Sequence, residues 1–226
     1  MTQPLFKRAY TSARPDVLAL IPAEAIAVLD VGCSTGALGA AVKARKPMAR
    51  VVGIELDEAM AAQAITVLDE VLVGSLEQVE LPAGPFDCIV CADVLEHVVD
   101  PWGELRRLAE RLDSEGKVVI SIPNIGHLDT FVNVFVRGVW PYRTRGIHDA
   151  THLRFFARRN VDALLAEAGL ELVQLRRNFR IFERPNRLAP LLALPGLRSL
   201  LTFQFLIVAR KANAPAAVRR WAAPGR

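Results

Sequence analysis

Apolar residues along this chain gather into short unbroken runs separated by stretches with helical periodicity. That alternation predicts a parallel sheet covered by helices on both faces. The first run, Ile26–Asp30, is followed by glycines and a helical stretch from Ala37 to Lys46. Arg50–Glu55 is the second run, and Asp57 then stands where a helix N-cap is expected. Val71–Val73 and Phe86–Cys91 are the third and fourth. Asp100 and Pro101 open another helix, with Leu105, Leu108 and Leu112 on one face at i, i+3 and i+7. The turn Asp113–Gly116 leads into the fifth run, Lys117–Ile122. Val161, Leu164, Leu165 and Ala168 line a helix that stops at Gly169. Leu170–Leu175 and Thr202–Ala209 complete a set of seven strands in one α/β domain.

Between the fifth strand and the following helix, residues 124–157 break the pattern with aromatics, arginines and three of the four histidines, and are read as an insertion. The domain is expected to span 1–211, with the Ala/Pro/Arg-rich residues 212–226 a disordered tail. Hydrophobic residues make up 52% of the 226 positions and charged ones 23%, which excludes a disordered polymer. A chain of this length buries about 70% of its unfolded surface without staples. Cys88 and Cys91 lie inside an apolar run, so with Cys33 they read as small core residues of a reducing compartment, and a disulfide scaffold is excluded. The N-terminal MTQPLFKRAY lacks a signal-peptide core, and Pro190, Pro195, Gly196 and Arg198 interrupt the most apolar stretch, so a cytoplasmic location without a membrane span is expected.

The net charge of +4 conceals an asymmetry. Residues 1–130 carry 11 Lys/Arg against 19 Asp/Glu, a net −8, whereas 131–226 carry 17 against 5, a net +12. A solvated basic face accounts for this, and so does an anionic partner: an acidic or phosphorylated small molecule, a membrane surface or nucleic acid.

The ligand signal sits after the first strand, in Asp30, Gly32, Cys33, Ser34, Gly36 and Gly39. Small residues let a ligand approach the backbone at the carboxyl end of a parallel strand. Glu55 ends the second strand, where an acid accepts from ribose hydroxyls. The spacing is not G-x-G-x-x-G, and Asp30 would repel a diphosphate while suiting an ammonium. A cationic, phosphate-free nucleoside therefore fits better than NAD.

These segments resemble the class I S-adenosylmethionine-dependent methyltransferases: L-D-V-G-C-S-T-G the first motif, G-I-E-L-D-E the second-strand acid, and F-D-C-I-V-C-A-D-V-L-E-H with L-D-S-E-G-K-V-V-I-S-I-P-N the fourth and fifth strands. The resemblance covers about residues 10–175. G-I-H-D-A-T-H-L-R-F-F is similar to a bacterial subgroup found near or fused to glycosyltransferases, and less closely to ubiquinone-pathway O-methyltransferases. It implies a Rossmann-like three-layer sandwich, mostly parallel and seven-stranded with an antiparallel last strand, and S-adenosyl-L-methionine as cofactor. By position, Asp30 and Gly32 would face the methionine part, with Cys33, Ser34 and Gly36 completing the bend. Glu55 would hold the ribose, Leu56 would flank the adenine, Leu76 would also contact the cofactor, and Asp93 with Val94 would line the floor. Ser34 stands where many members have glycine, and Ser75 where an aspartate usually accepts from the adenine amine.

Methyl transfer from a sulfonium needs alignment, and a hydroxyl acceptor also needs a base, for which histidine titrates in the useful range. His97 is the first candidate, His152 the second and His127 the third. Asp93, Glu96 and His97 resemble the E-x-x-E-H of ubiquinone-pathway enzymes in which divalent metal is implicated; an acidic helix start explains them without a metal, and none is assigned. The insertion around Phe131–Tyr142 reads as an acceptor-binding lid, with Arg143, Arg145 and Arg154 placed to meet an anionic group. The expected activity is O-methylation of a saccharide, lipid-linked saccharide or related small molecule, by a chain compatible with a homodimer. A nucleic-acid methyltransferase is the first alternative, suggested by the basic C-terminal half; against it, the N-P-P-Y-type motif used for base amines is missing. A non-catalytic S-adenosylmethionine-binding protein is the other alternative.

Overall fold

A computed structural model describes residues 12–181, 184–185, 194 and 197–213. The apolar runs become β1 (Ala27–Val31), β2 (Arg50–Glu55), β3 (Glu70–Val73), β4 (Phe86–Ala92), β5 (Leu112–Pro123), β6 (Leu170–Ile181) and β8 (Thr202–Lys211). A two-residue β7 (Arg184–Pro185), not anticipated from the sequence, pairs with the end of β6. The sheet order is β3-β2-β1-β4-β5-β8-β6-β7. Strands β1 to β5 are parallel, and the last strand β8 enters antiparallel between β5 and β6.

Successive side chains of a strand point to opposite faces, so a strand buried on both must be apolar throughout. On β5, Val118, Ile120 and Ile122 join one core while Val119 joins the other. On β8, Phe205, Ile207 and Ala209 divide from Leu206 and Val208 in the same way. The first core is closed by α4 (Pro101–Glu110) and α6 (Arg158–Glu167), the second by α1 (Pro15–Leu18), α2 (Ala37–Arg45) and α3 (Glu58–Ala64). Three layers result. Asp57 caps α3 by accepting from Ala59 and Met60 N–H, both at 2.9 Å, and Asp100 caps α4 through Gly103 N–H at 3.1 Å.

Three expectations do not hold in the structure. Leu112 does not extend the α4 face; it begins β5, and Asp113–Gly116 lies inside that strand rather than in a turn. The β4–β5 register shifts between Phe86 and Cys88, which absorbs the polar residues as a bulge. The strand expected to end at Leu175 continues to Ile181. The expectations for residues 1–11 and for the tail beyond 213 lie outside the described residues.

Gly53 of β2 lies opposite Asp30 of β1, and a Cβ there would stand 2.5 Å from Cys33 Sγ and 2.8 Å from Leu68 Cδ1. Overpacking at such a site costs about 1–3 kcal/mol. Gly53→Val should lower the melting temperature by roughly 3–10 °C in a calorimetric scan. Met48→Ala, at a position 88% exposed, should leave it unchanged.

Candidate active site

The carboxyl ends of β1, β2 and β4 share one edge, and the strand order reverses between β1 and β4. Open α/β sheets take ligands at that point. There the chain bends through Gly32, Ser34 and Gly36, whose φ angles are +70°, +52° and +78°. The Gly32 and Cys33 N–H groups both donate to the Ile54 carbonyl, at 2.8 and 3.0 Å. A Cβ on Gly32 would lie 2.7 Å from Val94 Cγ2, so backbone and strand edge meet closely only because the side chain is missing. Ser34 holds a left-handed conformation at a cost of order 1 kcal/mol. In it, the Ser34 N–H donates to Glu55 Oε2 at 2.7 Å. The second Glu55 oxygen accepts from Asp57 N–H at 2.9 Å. Bend, strand end and helix start are thus tied to one carboxylate.

Asp30 is buried beside this pair, and its Oδ2 has no hydrogen-bond partner. Burial, with the Glu55 charge adding to it, pushes its carboxyl up to about 7. A buried carboxylate without a donor is costly, and a cationic ligand would relieve the cost. The donor set therefore fits an adenosyl sulfonium carrying an ammonium group. Leu56 presents an apolar side chain that is 69% exposed at the same edge, while Leu76 is buried and Ser75 half-buried. Cys33, Cys88 and Cys91 are free and buried, and burial raises all three thiols, which leaves them inert packing groups.

Asp93 follows β4 with a φ of +60°, and its carboxylate is fully engaged. Oδ1 accepts from Ser121 Oγ at 2.7 Å and from Gln204 Nε2 at 2.6 Å; Oδ2 pairs with the Arg14 guanidinium. Arg14 also reaches Ser121 Oγ and Asp16, and Asn178 joins Asp16 to Gln204. Sequence reasoning missed Ser121, Gln204 and Arg14 around Asp93, and Arg14 is the least expected of them. It lies 79 positions from Asp93, and no local motif marks it.

The structure separates the histidines. His127 is fully buried; its Nε2 donates to the Arg180 carbonyl at 2.9 Å, and its Nδ1 accepts from Asp129 N–H at 3.1 Å, capping α5 (Leu128–Phe131). Both nitrogens serve backbone groups, which suits a structural cap rather than a base. His97 and His152 stand together, ring centroids 4.7 Å apart in an edge-to-face pair. His97 Nδ1 lies 3.3 Å from the Thr151 carbonyl, to which it must donate, and Thr151 Oγ1 donates to Asp149 Oδ1 at 2.7 Å. His152 Nδ1 donates to the Ile147 carbonyl at 3.1 Å, and burial, then the His97 charge, lowers its pKa. Among the described residues, Glu96, His97 and His152 offer ligand atoms within 4.8 Å of one another. Glu96 is buried with Oε2 unpartnered. A carboxylate with two imidazoles suits a divalent transition ion. Asp93 is not in that group. Of the lid arginines, Arg143 is paired with Asp129 at 2.7 Å and Arg154 donates to the Val99 carbonyl, while Arg145 stays exposed.

This sheet order, with an acid at the end of β2 and a small-residue bend after β1, defines the class I, Rossmann-like methyltransferase fold. Residues 6–175 match a family model described as "Methyltransferase domain", and the chain belongs to that family, which uses S-adenosylmethionine. The chain is 30% identical over 154 residues to the ubiquinone biosynthesis O-methyltransferase of Pseudomonas aeruginosa, covering 64% of each protein. It is 31% identical over 170 residues to the malonyl-[acyl-carrier protein] O-methyltransferase of Geobacter sulfurreducens, covering 70% of this chain and 62% of that one. It thus spans less than two thirds of the length of either curated relative. A solved S-adenosylmethionine-dependent methyltransferase from Mesorhizobium loti shares the fold, with TM-score 0.63 at 18% identity over 88% of this chain and 98% of that one.

An acid whose folded pKa is raised stabilises the fold most below its ordinary value of 3.8, and that contribution is lost as pH rises to about 7. Asp30→Asn should therefore raise the melting temperature of the ligand-free protein at pH 8, by roughly 3–8 °C. The same substitution should abolish stabilisation by S-adenosylmethionine. In the unsubstituted protein that ligand stabilisation should weaken as pH falls below about 7. Differential scanning calorimetry at pH 6 and pH 8 measures both.

Proposed function

We propose that the chain methylates an oxygen of a small-molecule acceptor, a saccharide, lipid-linked saccharide or related metabolite. The observation that carries this reading is the unpaired buried oxygen of Asp30 beside Glu55, since that pair calls for a cationic nucleoside. S-adenosylmethionine bound there supplies a methyl group on a sulfonium whose leaving thioether needs no acid. Asp30 and Gly32 take the methionine end, and Cys33, Ser34 and Gly36 bring backbone against it. Glu55 accepts from the ribose hydroxyls, Leu56 and Leu76 enclose the adenine, and Ser75 accepts from its amine. Asp93 and Val94 form the floor, with Arg14 and Ser121 holding the Asp93 carboxylate in place.

His97 is the general base of this reading. Its Nδ1 proton is committed to Thr151, which leaves Nε2 as the acceptor. Asp149 holds Thr151 through its hydroxyl and its N–H, at 2.7 and 3.0 Å, and so orients the imidazole indirectly. The segment that carries His152 packs on the 3-10 turn Leu95–His97, with the Leu153 and Arg154 N–H groups donating to the Glu96 carbonyl at 2.8 and 3.0 Å. The names of the Pseudomonas and Geobacter relatives, both O-methyltransferases, support oxygen as the methylated atom. Free, buried cysteines support a reducing, cytoplasmic setting. A second reading, favoured by the unpartnered Glu96 Oε2, has Glu96, His97 and His152 hold a divalent ion that polarises the acceptor hydroxyl.

Transfer of labelled methyl from S-adenosylmethionine to a saccharide or lipid-linked saccharide, and not to RNA or DNA, is the expected outcome of an acceptor screen. His97→Ala should keep S-adenosylhomocysteine affinity and lose turnover about 10²–10⁴-fold. Turnover that survives chelator dialysis supports the base, and turnover lost to chelator and restored by a divalent salt supports the ion. Glu55→Gln should weaken S-adenosylhomocysteine binding about tenfold by calorimetry, as expected for a lost charge-assisted hydrogen bond.

A further inference from the structure

The insertion after β5 turns one flank inward and the other outward. Inward, Asp129 pairs with Arg143, His148 lies fully buried, and Trp140 packs edge-on between His148 and Phe155, at 5.2 and 5.3 Å. This is a well-packed base, so the outer flank is not merely an unfolded loop. On that flank the α5 helix passes into a π-helical turn, Val132–Val136, a distortion that often accompanies functional surfaces. Phe131 and Phe135 stack on one another, ring centroids 5.5 Å apart and 29° between planes. Phe135 is 75% exposed, Val136 69% and Tyr142 78%, and Val139 is also exposed. Four large apolar side chains in eight positions form a patch that a soluble domain seldom leaves bare.

The charge around the patch has one sign. Residues 131–148 contain three arginines and no aspartate or glutamate. Arg143 is consumed by Asp129, while Arg137 and Arg145 are exposed and make no ion pair among the described residues. Exposed aromatic and branched side chains flanked by unneutralised arginines match an anionic bilayer surface: the rings enter the boundary between headgroups and acyl chains, and the guanidinium groups meet lipid phosphates. A second copy of the same patch would bring arginines against arginines. The flank also continues along the chain into the segment holding His152, whose ring packs on that of His97.

We infer that the outer flank of the insertion, residues 131–145, docks the enzyme on an anionic lipid surface and presents the site to an acceptor anchored there. The inference rests on the lipid-linked form of the proposed acceptor. Docking itself is measurable without any acceptor. The full chain should cosediment with vesicles of phosphatidylcholine mixed with phosphatidylglycerol, and not with phosphatidylcholine alone. Phe135→Ser with Val136→Ser, and separately Arg137→Gln with Arg145→Gln, should each weaken vesicle binding about tenfold or more. Because these side chains are exposed, melting temperature and S-adenosylhomocysteine affinity should not move. Failure to bind anionic vesicles, binding unaffected by either double substitution, or binding equally strong to neutral vesicles overturns the inference. If the same double substitutions instead abolish binding to RNA or to a second copy of the chain while vesicles are ignored, it is overturned as well. Vesicle binding with no methylation of any lipid-linked saccharide overturns the acceptor reading and leaves the docking intact. Methylation of a water-soluble saccharide without vesicle affinity does the reverse.

Discussion

One carboxylate holds the proposed ligand-binding edge in shape. Glu55 accepts the Ser34 N–H with one oxygen and the Asp57 N–H with the other, so the bend after β1 and the start of α3 cannot move independently. A carboxylate so engaged is held in place, and its charge falls on Asp30, which burial already disfavours as an anion. The edge therefore stores an unmet demand for positive charge. Backbone strain is stored there too, in the left-handed Ser34, where glycine would sit without penalty. Strain and unpaired charge at one spot mark a place shaped for a ligand rather than for stability.

The remaining polar residues of the edge follow from the same geometry. Parallel strands bring Asp93 and Ser121 to adjacent positions, and antiparallel β8 brings Gln204 beside them with its amide donor facing Asp93. Arg14 closes the group from the segment before β1. The result is a stiff group in which both side-chain oxygens of Asp93 have partners, at the same edge as the proposed cofactor site, where Asp30 Oδ2 has none. Across from it the insertion supplies His97 with an orienting carbonyl and carries the apolar, basic flank outward.

Much of the sheet was legible because strands buried on both faces are largely apolar, and β1, β2, β4 and the centre of β5 are so apart from Asp30, Asp87 and the two ends of β2, Arg50 and Glu55. The parts that escaped were those where burial does not set the pattern. The far half of β6, Arg176–Ile181, is rich in arginine and only partly buried, so its strand character comes from pairing with β8, which the chain does not reach until Thr202. Asp113–Gly116 looks like a turn because a bulge and a turn use the same residues. Asp30, Gly32, Ser34 and Glu55, proposed for the cofactor site, could be singled out because each sits at a fixed offset from a strand end. Arg14 could not, since its partner is chosen by the tertiary fold. His127, a candidate base by residue type, proved to be a helix cap whose two ring nitrogens face backbone groups. Only coordinates distinguish that histidine from His97.

A crystal structure with S-adenosylhomocysteine bound bears on the central claim most directly. It should show the ribose hydroxyls on the Glu55 carboxylate, the ammonium group within hydrogen-bond reach of Asp30, and the adenine against Leu56. An adenosyl group bound elsewhere, or a ligand at this edge that leaves Glu55 and Asp30 untouched, would contradict it.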